Sequence, residues 1–133
     1  MAKDDGRVIS NFIYQALNNK DITINGDGSQ TRSFQFIDDL VKGMICMMET
    51  DNSIIGPINI GNPEEISIID VAKKVILLTK SNSKIKFEIL PVDDPKKRKP
   101  DIKLAKNILN WSPKYNLNEG LKNTIDFFIS NYI

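Results

Sequence analysis

Histidine is absent from the 133-residue sequence, and cysteine occurs only once, as Cys46. Without histidine, Ser-His and Cys-His catalytic pairs are excluded, and one thiol cannot build a zinc site or an internal disulfide. Cys46 lies within the apolar stretch LVKGMICMM, so we expect a small core residue in a reducing compartment.

An excess of charge of one sign is also lacking, because 18 Lys and Arg residues face 17 Asp and Glu residues. No global field would attract nucleic acid or an anionic membrane surface, so any recognition of an anion must be local. No apolar run approaches the roughly 18 residues of a membrane span, and no signal peptide pattern opens the sequence. We therefore expect a cytoplasmic protein without nucleic acid or membrane partners.

Arginine is scarce, since only three of the 18 basic residues are arginines: Arg7, Arg32 and Arg98. Where lysine satisfies the general need for positive charge, each arginine is a candidate for bidentate recognition of an anion. Arg98 lies in the stretch DDPKKRKPDI, three residues before Asp101, and this pair could serve a phosphate and a sugar hydroxyl. The alternative for each arginine is a surface charge, which composition alone favours, and the alternative for Asp101 is a helix cap.

Hydrophobic periodicity predicts an α/β chain with more helix than strand. Asp38, Asp101 and Asn118 are predicted helix caps, and Ser67 with Asp70 resembles a capping box. The predicted helices cover residues 7–19, 38–49, 67–80, 102–109 and 118–132, and the predicted strands cover 22–24, 34–36, 58–60 and 84–90.

Two sequence patterns that could carry chemistry are interpreted as structural. The GxG of Gly26 to Gly28 has no third glycine and no predicted helix after it, so it is a turn rather than a dinucleotide fingerprint. Four acidic pairs lie at predicted loops or helix starts and are interpreted as caps and solvated faces. These pairs are Asp4-Asp5, Asp38-Asp39, Glu64-Glu65 and Asp93-Asp94.

Four blocks along the chain resemble the C-terminal part of UDP-glucuronate decarboxylases (UDP-xylose synthases), which are extended short-chain dehydrogenases/reductases of the NAD-dependent epimerase/dehydratase family. The blocks are DGRVISNFIYQAL, TINGDGSQTRSFQFIDDLVKGM, GPINIGNPEEISIIDVAKKV and DDPKKRKPDIKLAKNILNWSPKYNLNEGL. They cover essentially the whole chain in order.

The resemblance implies a substrate-binding role for six residues. Arg32 and Arg98 match arginines that contact the UDP diphosphate and the nearby ribose, and Asp101 matches an acid that approaches the ribose. Arg7 and Val8 match a segment bordering the base, and Phe36 matches an aromatic position close to it.

The resemblance also implies a reaction for the parent enzyme. Such enzymes use tightly held NAD to oxidise the sugar at C4, release CO2, and return the hydride. The glycine-rich NAD turn and the Tyr-x-x-x-Lys dyad would lie upstream of Met1, so no catalytic or cofactor role is carried onto this chain. Alone it is expected to be inactive and to need no cofactor.

The resemblance finally implies that residues 1–133 form one C-terminal nucleotide-sugar-binding region, which belongs in a parent that is usually a homodimer. Residues 38–61 are expected to supply one helix and one strand of the otherwise missing cofactor-binding Rossmann domain and to pack with it. Their helix would then expose Met44, Met47 and Met48. Two alternatives remain open. One is a fragment of another UDP- or dTDP-sugar epimerase or 4,6-dehydratase, and the other is a non-catalytic nucleotide-sugar-binding subunit.

Overall fold

A computed structural model describes residues 6–89 and 95–133, which form five helices and four short strands within those ranges. The predicted acids Asp4, Asp5, Asp93 and Asp94, and the predicted strand end at Leu90, lie outside the described residues. The elements are α1 (Val8–Leu17), β1 (Ile22–Asn25), β2 (Thr31–Arg32), α2 (Ile37–Met48), β3 (Ile66–Ser67), α3 (Ile68–Thr79), β4 (Ile85–Glu88), α4 (Lys103–Leu109) and α5 (Leu117–Tyr132).

The strands form two separate two-stranded sheets. β1 and β4 are parallel, with Ile22 opposite Ile85. β2 and β3 are antiparallel, with Thr31 opposite Ser67 and Arg32 opposite Ile66. The predicted strands near residues 22 and 85 are therefore confirmed. The strands of the second sheet are each two residues long.

The main core lies where α1, α3 and α5 pack together against β1. Apolar residues at helical spacing supply this core because each helix turns one face inward. At its centre Ile13, Val71 and Val75 are completely buried and Phe128 is 1% exposed. This cluster is the scaffold from which the remaining segments extend.

Helix ends agree with the sequence at α3 and differ from it at α5. The Ser67 hydroxyl accepts a hydrogen bond from the Asp70 amide at 3.3 Å, as predicted. The α5 cap is Asn116, whose side chain pairs reciprocally with Glu119 in a capping box, so the prediction of Asn118 was wrong. Asn118 lies inside the first turn and accepts from Lys74 Nζ at 3.1 Å.

Neither stretch 34–36 nor stretch 58–60 is a strand, so both predictions were wrong. Phe36 is the N-cap of α2, so the chain turns into a helix where continued alternation was expected, and Asp38 lies in the first turn instead of capping it. Ile58 and Ile60 bury apolar surface against a second cluster without joining a ladder in the described chain.

This second cluster holds α2 against α4, with Ile102, Ala105 and Trp111 at its centre. α2 approaches closely at Gly43, where an added Cβ would lie 2.8 Å from the Ile60 side chain and 3.3 Å from Trp111 Nε1. Cys46 is half-buried and packs against the cluster, which fits its predicted packing role.

Asp39 joins α2 to the segment leading into α5. It is only 3% exposed, so its interpretation as a cap or solvated acid was wrong. Its two carboxylate oxygens accept hydrogen bonds from the backbone amides of Lys114 and Tyr115, each at 3.0 Å. Its carbonyl accepts from the Trp111 indole N–H, also at 3.0 Å.

The opposite face of α2 is apolar and exposed. Ile37, Val41, Met44 and Met48 follow one another at spacings of three or four residues and are 55%, 46%, 55% and 83% exposed. We call these four residues the α2 stripe. The expected exposure of Met44 and Met48 is confirmed, whereas Met47 is half-buried. None of the helices in the described ranges has the length and apolar character needed to cross a membrane.

We predict that Asp39→Asn lowers the free energy of unfolding by about 2–4 kcal/mol, because the amide nitrogen of Asn would face a backbone donor and leave it unsatisfied. Urea unfolding at unchanged slope measures this loss. Asp38→Asn is the matched control, since Asp38 is exposed and its side chain accepts a 3.3 Å hydrogen bond from the Tyr115 hydroxyl instead of buried backbone amides. Equal losses in the two variants would contradict the assignment.

Candidate functional site

Arg32, the first predicted diphosphate contact, lies on β2. It is half-buried, and its Nη1 donates a hydrogen bond to the Thr31 carbonyl at 2.7 Å. The backbone of β2 is held by its antiparallel pairing with β3, which leads directly into α3. The main core therefore fixes the backbone position of Arg32.

Arg98, the second predicted diphosphate contact, lies in an exposed basic loop that runs beside β2. We call residues 95–101 the basic loop. The Thr31 amide donates to the Lys96 carbonyl at 2.8 Å, and the Ser33 hydroxyl donates to the Arg98 carbonyl at 3.3 Å. The structure therefore brings the segments of Arg32 and Arg98 together, although they are 66 positions apart in the chain.

Gly61 supports the basic loop at Pro100. Gly61 is buried, and a Cβ added to it would lie 2.8 Å from Pro100 Cγ and 3.2 Å from Pro100 Cβ. Only a residue without a side chain allows this approach, since real Cβ atoms do not come so close to another carbon. The loop is thus held by β2 at Lys96 and Arg98 and by Gly61 at Pro100.

Asp101 performs the capping role that the sequence allowed. It is exposed, and its Oδ1 accepts a hydrogen bond from the Lys103 amide at 3.0 Å, in the first turn of α4. The assigned N-cap residue is Ile102, which has no side-chain acceptor. The carboxylate therefore satisfies one of the amides at the start of the helix, three residues from Arg98.

Phe36 stacks against Tyr115, with ring centroids 4.6 Å apart and an interplanar angle of 48°. A Cβ added at Gly120 would lie 3.4 Å from Phe36 Cβ, so the first turn of α5 also adjoins this residue. The Tyr115 hydroxyl donates to Asp38, and the negative charge of Asp38 raises the pKa of Tyr115. Phe36 is thus one half of an aromatic pair at the start of α2.

Arg7 and Val8 lie at the beginning of α1. Arg7 is the exposed N-cap residue, and its carbonyl accepts from the Ser10 hydroxyl at 3.1 Å. Val8 is half-buried and packs against the main core. The two residues are anchored on a different element from the two diphosphate candidates, whose segments are joined directly.

Sequence reasoning missed Ser33 and Gly61, although both hold the basic loop. Nothing in the local pattern indicates that a serine in TRSF will meet a residue 65 positions later. A glycine followed by Asn-Pro has the composition of any turn. The only usable signal was the presence of both residues within blocks that carry the family resemblance.

Two buried polar atoms flank Arg32 along the chain. Within the described structure, neither Thr31 Oγ1 nor Gln35 Nε2 has a hydrogen-bond partner. A buried polar group without a partner costs about 1–3 kcal/mol.

The groove at the C-terminal end of α2 does not suit an anion. It encloses about 400 Å³ and is lined in part by Cys46, Glu49, Asp51 and Ile108. The two carboxylates would repel a diphosphate. This groove therefore does not suit the ligand predicted for the arginine segments.

The described residues do not fit the diphosphate of NAD. The turn at Gly26 to Gly28 leads into β2 and not into a helix, whereas the NAD diphosphate turn opens a helix directly. Gly28 is instead needed for packing, because a Cβ there would lie 2.8 Å from Ile69 Cβ. Across residues 6–89 and 95–133, no cluster of three or more metal-ligating side chains is found.

Comparison with known proteins gives a consistent result. Residues 3–124 match the family model described as GDP-mannose 4,6 dehydratase. UDP-glucuronic acid decarboxylase 1 of Arabidopsis thaliana is 46% identical over 128 residues, covering 96% of this chain and 29% of the relative. UDP-glucuronic acid decarboxylase 1 of Danio rerio is 47% identical, with coverages of 96% and 30%. The chain thus spans less than a third of these two relatives.

Solved structures are also similar to the chain. The UDP-glucuronic acid 4-epimerase from Bacillus cereus, in complex with UDP-glucuronic acid and NAD, is 34% identical with a TM-score of 0.89. This match covers 96% of this chain and 41% of the epimerase. The UDP-glucose 4-epimerase from Thermotoga maritima with UDP-glucose is 28% identical, with a TM-score of 0.88 and coverages of 96% and 40%. The predicted α/β class and the predicted resemblance are confirmed.

We predict that Gly61→Ala displaces Pro100 and loosens the basic loop, because the new methyl group would overlap the proline ring. Amide chemical shifts of Lys97 to Lys99 should change, and the protection of the Thr31 amide from hydrogen exchange should fall. Gly56→Ala is the matched control, since nothing lies within 4 Å of a Cβ added there. Unchanged shifts and protection in Gly61→Ala would contradict the support role.

Proposed function

Because the chain belongs to the GDP-mannose 4,6-dehydratase family of extended short-chain dehydrogenases/reductases, we propose that it is the nucleotide-sugar-binding portion of an NAD-dependent UDP-glucuronate decarboxylase. The observation that carries the proposal is the joining of the Arg32 and Arg98 segments by two hydrogen bonds. Identity of 45–50% to eight decarboxylases, over 89–96% of this chain, supports the choice of substrate.

Arg32 and Arg98 are proposed to bind the diphosphate of the UDP-sugar. Two guanidinium groups from different segments can each present a planar fork to the phosphate oxygens. Arg32 is partly preorganised, since it is half-buried and already bonded to its own strand. Lys96, Lys97 and Lys99 are exposed beside Arg98 and add positive potential around the ligand.

The remaining candidates are proposed to contact the nucleoside. Asp101 would accept a hydrogen bond from a ribose hydroxyl while keeping its bond to the Lys103 amide, because a carboxylate has several acceptor sites. Phe36 would border the base, and its stacking on Tyr115 would fix the ring. Arg7 and Val8 would border the base from the start of α1.

The chemical step is assigned to the parent enzyme and not to this chain. None of the three tyrosines is followed by lysine four residues later, and the described residues do not fit NAD. In the proposed parent, NAD and the catalytic groups belong to a cofactor-binding portion outside residues 1–133. A homodimeric parent remains a proposal from the family resemblance.

The α2 stripe is proposed to pack against that cofactor-binding portion. Its four apolar side chains lie along one face of α2. The other face, at Asp39 and Gly43, packs against the rest of this chain. A contiguous apolar surface of this kind usually marks an interface. Residues 38–61 would then pack against both the cofactor-binding portion and the rest of this chain.

A titration with UDP tests whether Arg32 and Arg98 bind the diphosphate together. We expect the wild-type chain to bind UDP, and Arg32→Ala and Arg98→Ala each to weaken binding by about tenfold or more, as for loss of charge-assisted hydrogen bonds. Calorimetry measures the dissociation constants. Lys97→Ala is the matched control and should weaken binding less than either arginine variant, because it removes only a neighbouring charge from the same loop. Undetectable wild-type binding at millimolar UDP, or unchanged binding in both arginine variants, would contradict the proposal.

A second candidate is a portion of a UDP-glucuronate 4-epimerase. The structural match to the Bacillus cereus epimerase, at 34% identity and over 96% of this chain, favours it. Both activities would use the same UDP-binding residues, so UDP binding does not distinguish the two candidates. The products do, since only decarboxylation releases CO2.

A fusion assay tests both the function and the α2 stripe. The cofactor-binding portion of the Arabidopsis decarboxylase 1 would be joined to this chain and supplied with UDP-glucuronate and NAD. We expect CO2 release by the fusion, none by the chain alone, and loss of turnover in the Met44→Glu fusion. Leu77→Glu, at a 76% exposed apolar position on α3, is the matched control and should retain turnover.

Three outcomes would contradict parts of this proposal. Turnover by the chain alone would place catalytic groups within it. A fusion that forms only the C4 epimer of UDP-glucuronate would favour the second candidate. Full activity in Met44→Glu would exclude the stripe as the interface.

A further inference from the structure

The basic loop follows β2 in a parallel sense. Thr31 donates to Lys96, and Ser33, two residues later, donates to Arg98, also two residues later. The basic loop thus runs beside β2 in the same direction and is joined to it by one backbone bond and one side-chain bond.

These bonds bring the backbone of Arg98 close to that of Arg32. Ser33, the residue directly after Arg32, bonds to the carbonyl of Arg98 itself. The two arginines therefore extend from neighbouring parts of the backbone.

The basic loop carries four consecutive cations, Lys96 to Lys99, all exposed, and their like charges repel one another. Its position beside β2 therefore depends on specific contacts. At residue 31 a backbone hydrogen bond provides such a contact, and at residue 33 the side-chain hydroxyl does so.

We propose that Ser33 is a positioning residue, whose hydroxyl holds the Arg98 backbone beside β2 so that both arginines meet one diphosphate. The inference rests on the proposed function for the identity of the ligand. Ser33 acts on the loop carbonyl and not on the substrate. Its contribution is to keep the loop in place before the ligand arrives, which reduces the ordering cost of binding.

The first experiment requires no ligand. In ¹⁵N relaxation measurements on the free chain, Ser33→Ala should lower the heteronuclear NOE of residues 97–99, because Arg98 loses its tether. Ser33→Thr should restore it, since threonine keeps the hydroxyl and suits extended backbone. Ser53→Ala, which also removes a hydroxyl bonded to a nearby acceptor, is the control and should leave residues 97–99 unchanged.

The second experiment is a UDP titration of the same variants. Ser33→Ala should weaken UDP binding by about fivefold, as expected for loss of one neutral hydrogen bond. Ser33→Thr should bind within about twofold of wild type, on the same scale. Recovery with threonine separates the role of the hydroxyl from general disturbance of the strand.

The two proposals fail in different ways. Unchanged relaxation in Ser33→Ala overturns the positioning role, whatever the titration gives. Unchanged UDP affinity in that variant, while Arg98→Ala weakens binding, also overturns it and leaves the proposed function intact. No UDP binding by the wild-type chain overturns the proposed function, and relaxation still decides whether Ser33 positions Arg98.

Discussion

The buried carboxylate of Asp39 is the interaction on which the second half of the structure depends. Two consecutive backbone amides, of Lys114 and Tyr115, donate to its two oxygens, while the Trp111 indole donates to its carbonyl. This set of bonds fixes the rotation of α2 about its own axis. The stacking of Phe36 on Tyr115 and the outward direction of the α2 stripe both follow from that rotation.

The arginine site depends on a different constraint, which is the close passage of three segments. β2 carries Arg32, the basic loop carries Arg98, and Gly61 allows the loop to approach at Pro100. Each segment is irregular or very short, so the site has little regular secondary structure of its own. Its geometry comes from the main core, through the pairing of β2 with β3 and the cap of α3.

Features set by neighbouring residues could be predicted from the sequence, whereas features set by distant contacts could not. The helical faces of α1 and α3 and the cap at Ser67 follow from periodicity and spacing. The burial of Asp39, by contrast, depends on amides more than 70 positions away. The strand predicted at 58–60 is an apolar segment packed on Trp111, because alternation cannot distinguish a ladder from a buried loop. For the site, arginine scarcity and family resemblance selected Arg32 and Arg98, but the tethers at Ser33 and Gly61 required the structure.

The pairing of β2 with the basic loop also affects the order of folding. Both hydrogen bonds close a loop of 65 positions and join segments that bury little apolar surface of their own. Contacts with large sequence separation carry a high entropic cost, which is met only after local helices and their core have formed. The arginine pair therefore assembles late, and in hydrogen exchange it belongs to the part of the protein that opens first. A chain whose core is fully folded can still lack the proposed anion site, so measurements of global stability would not report whether the two arginine segments are joined.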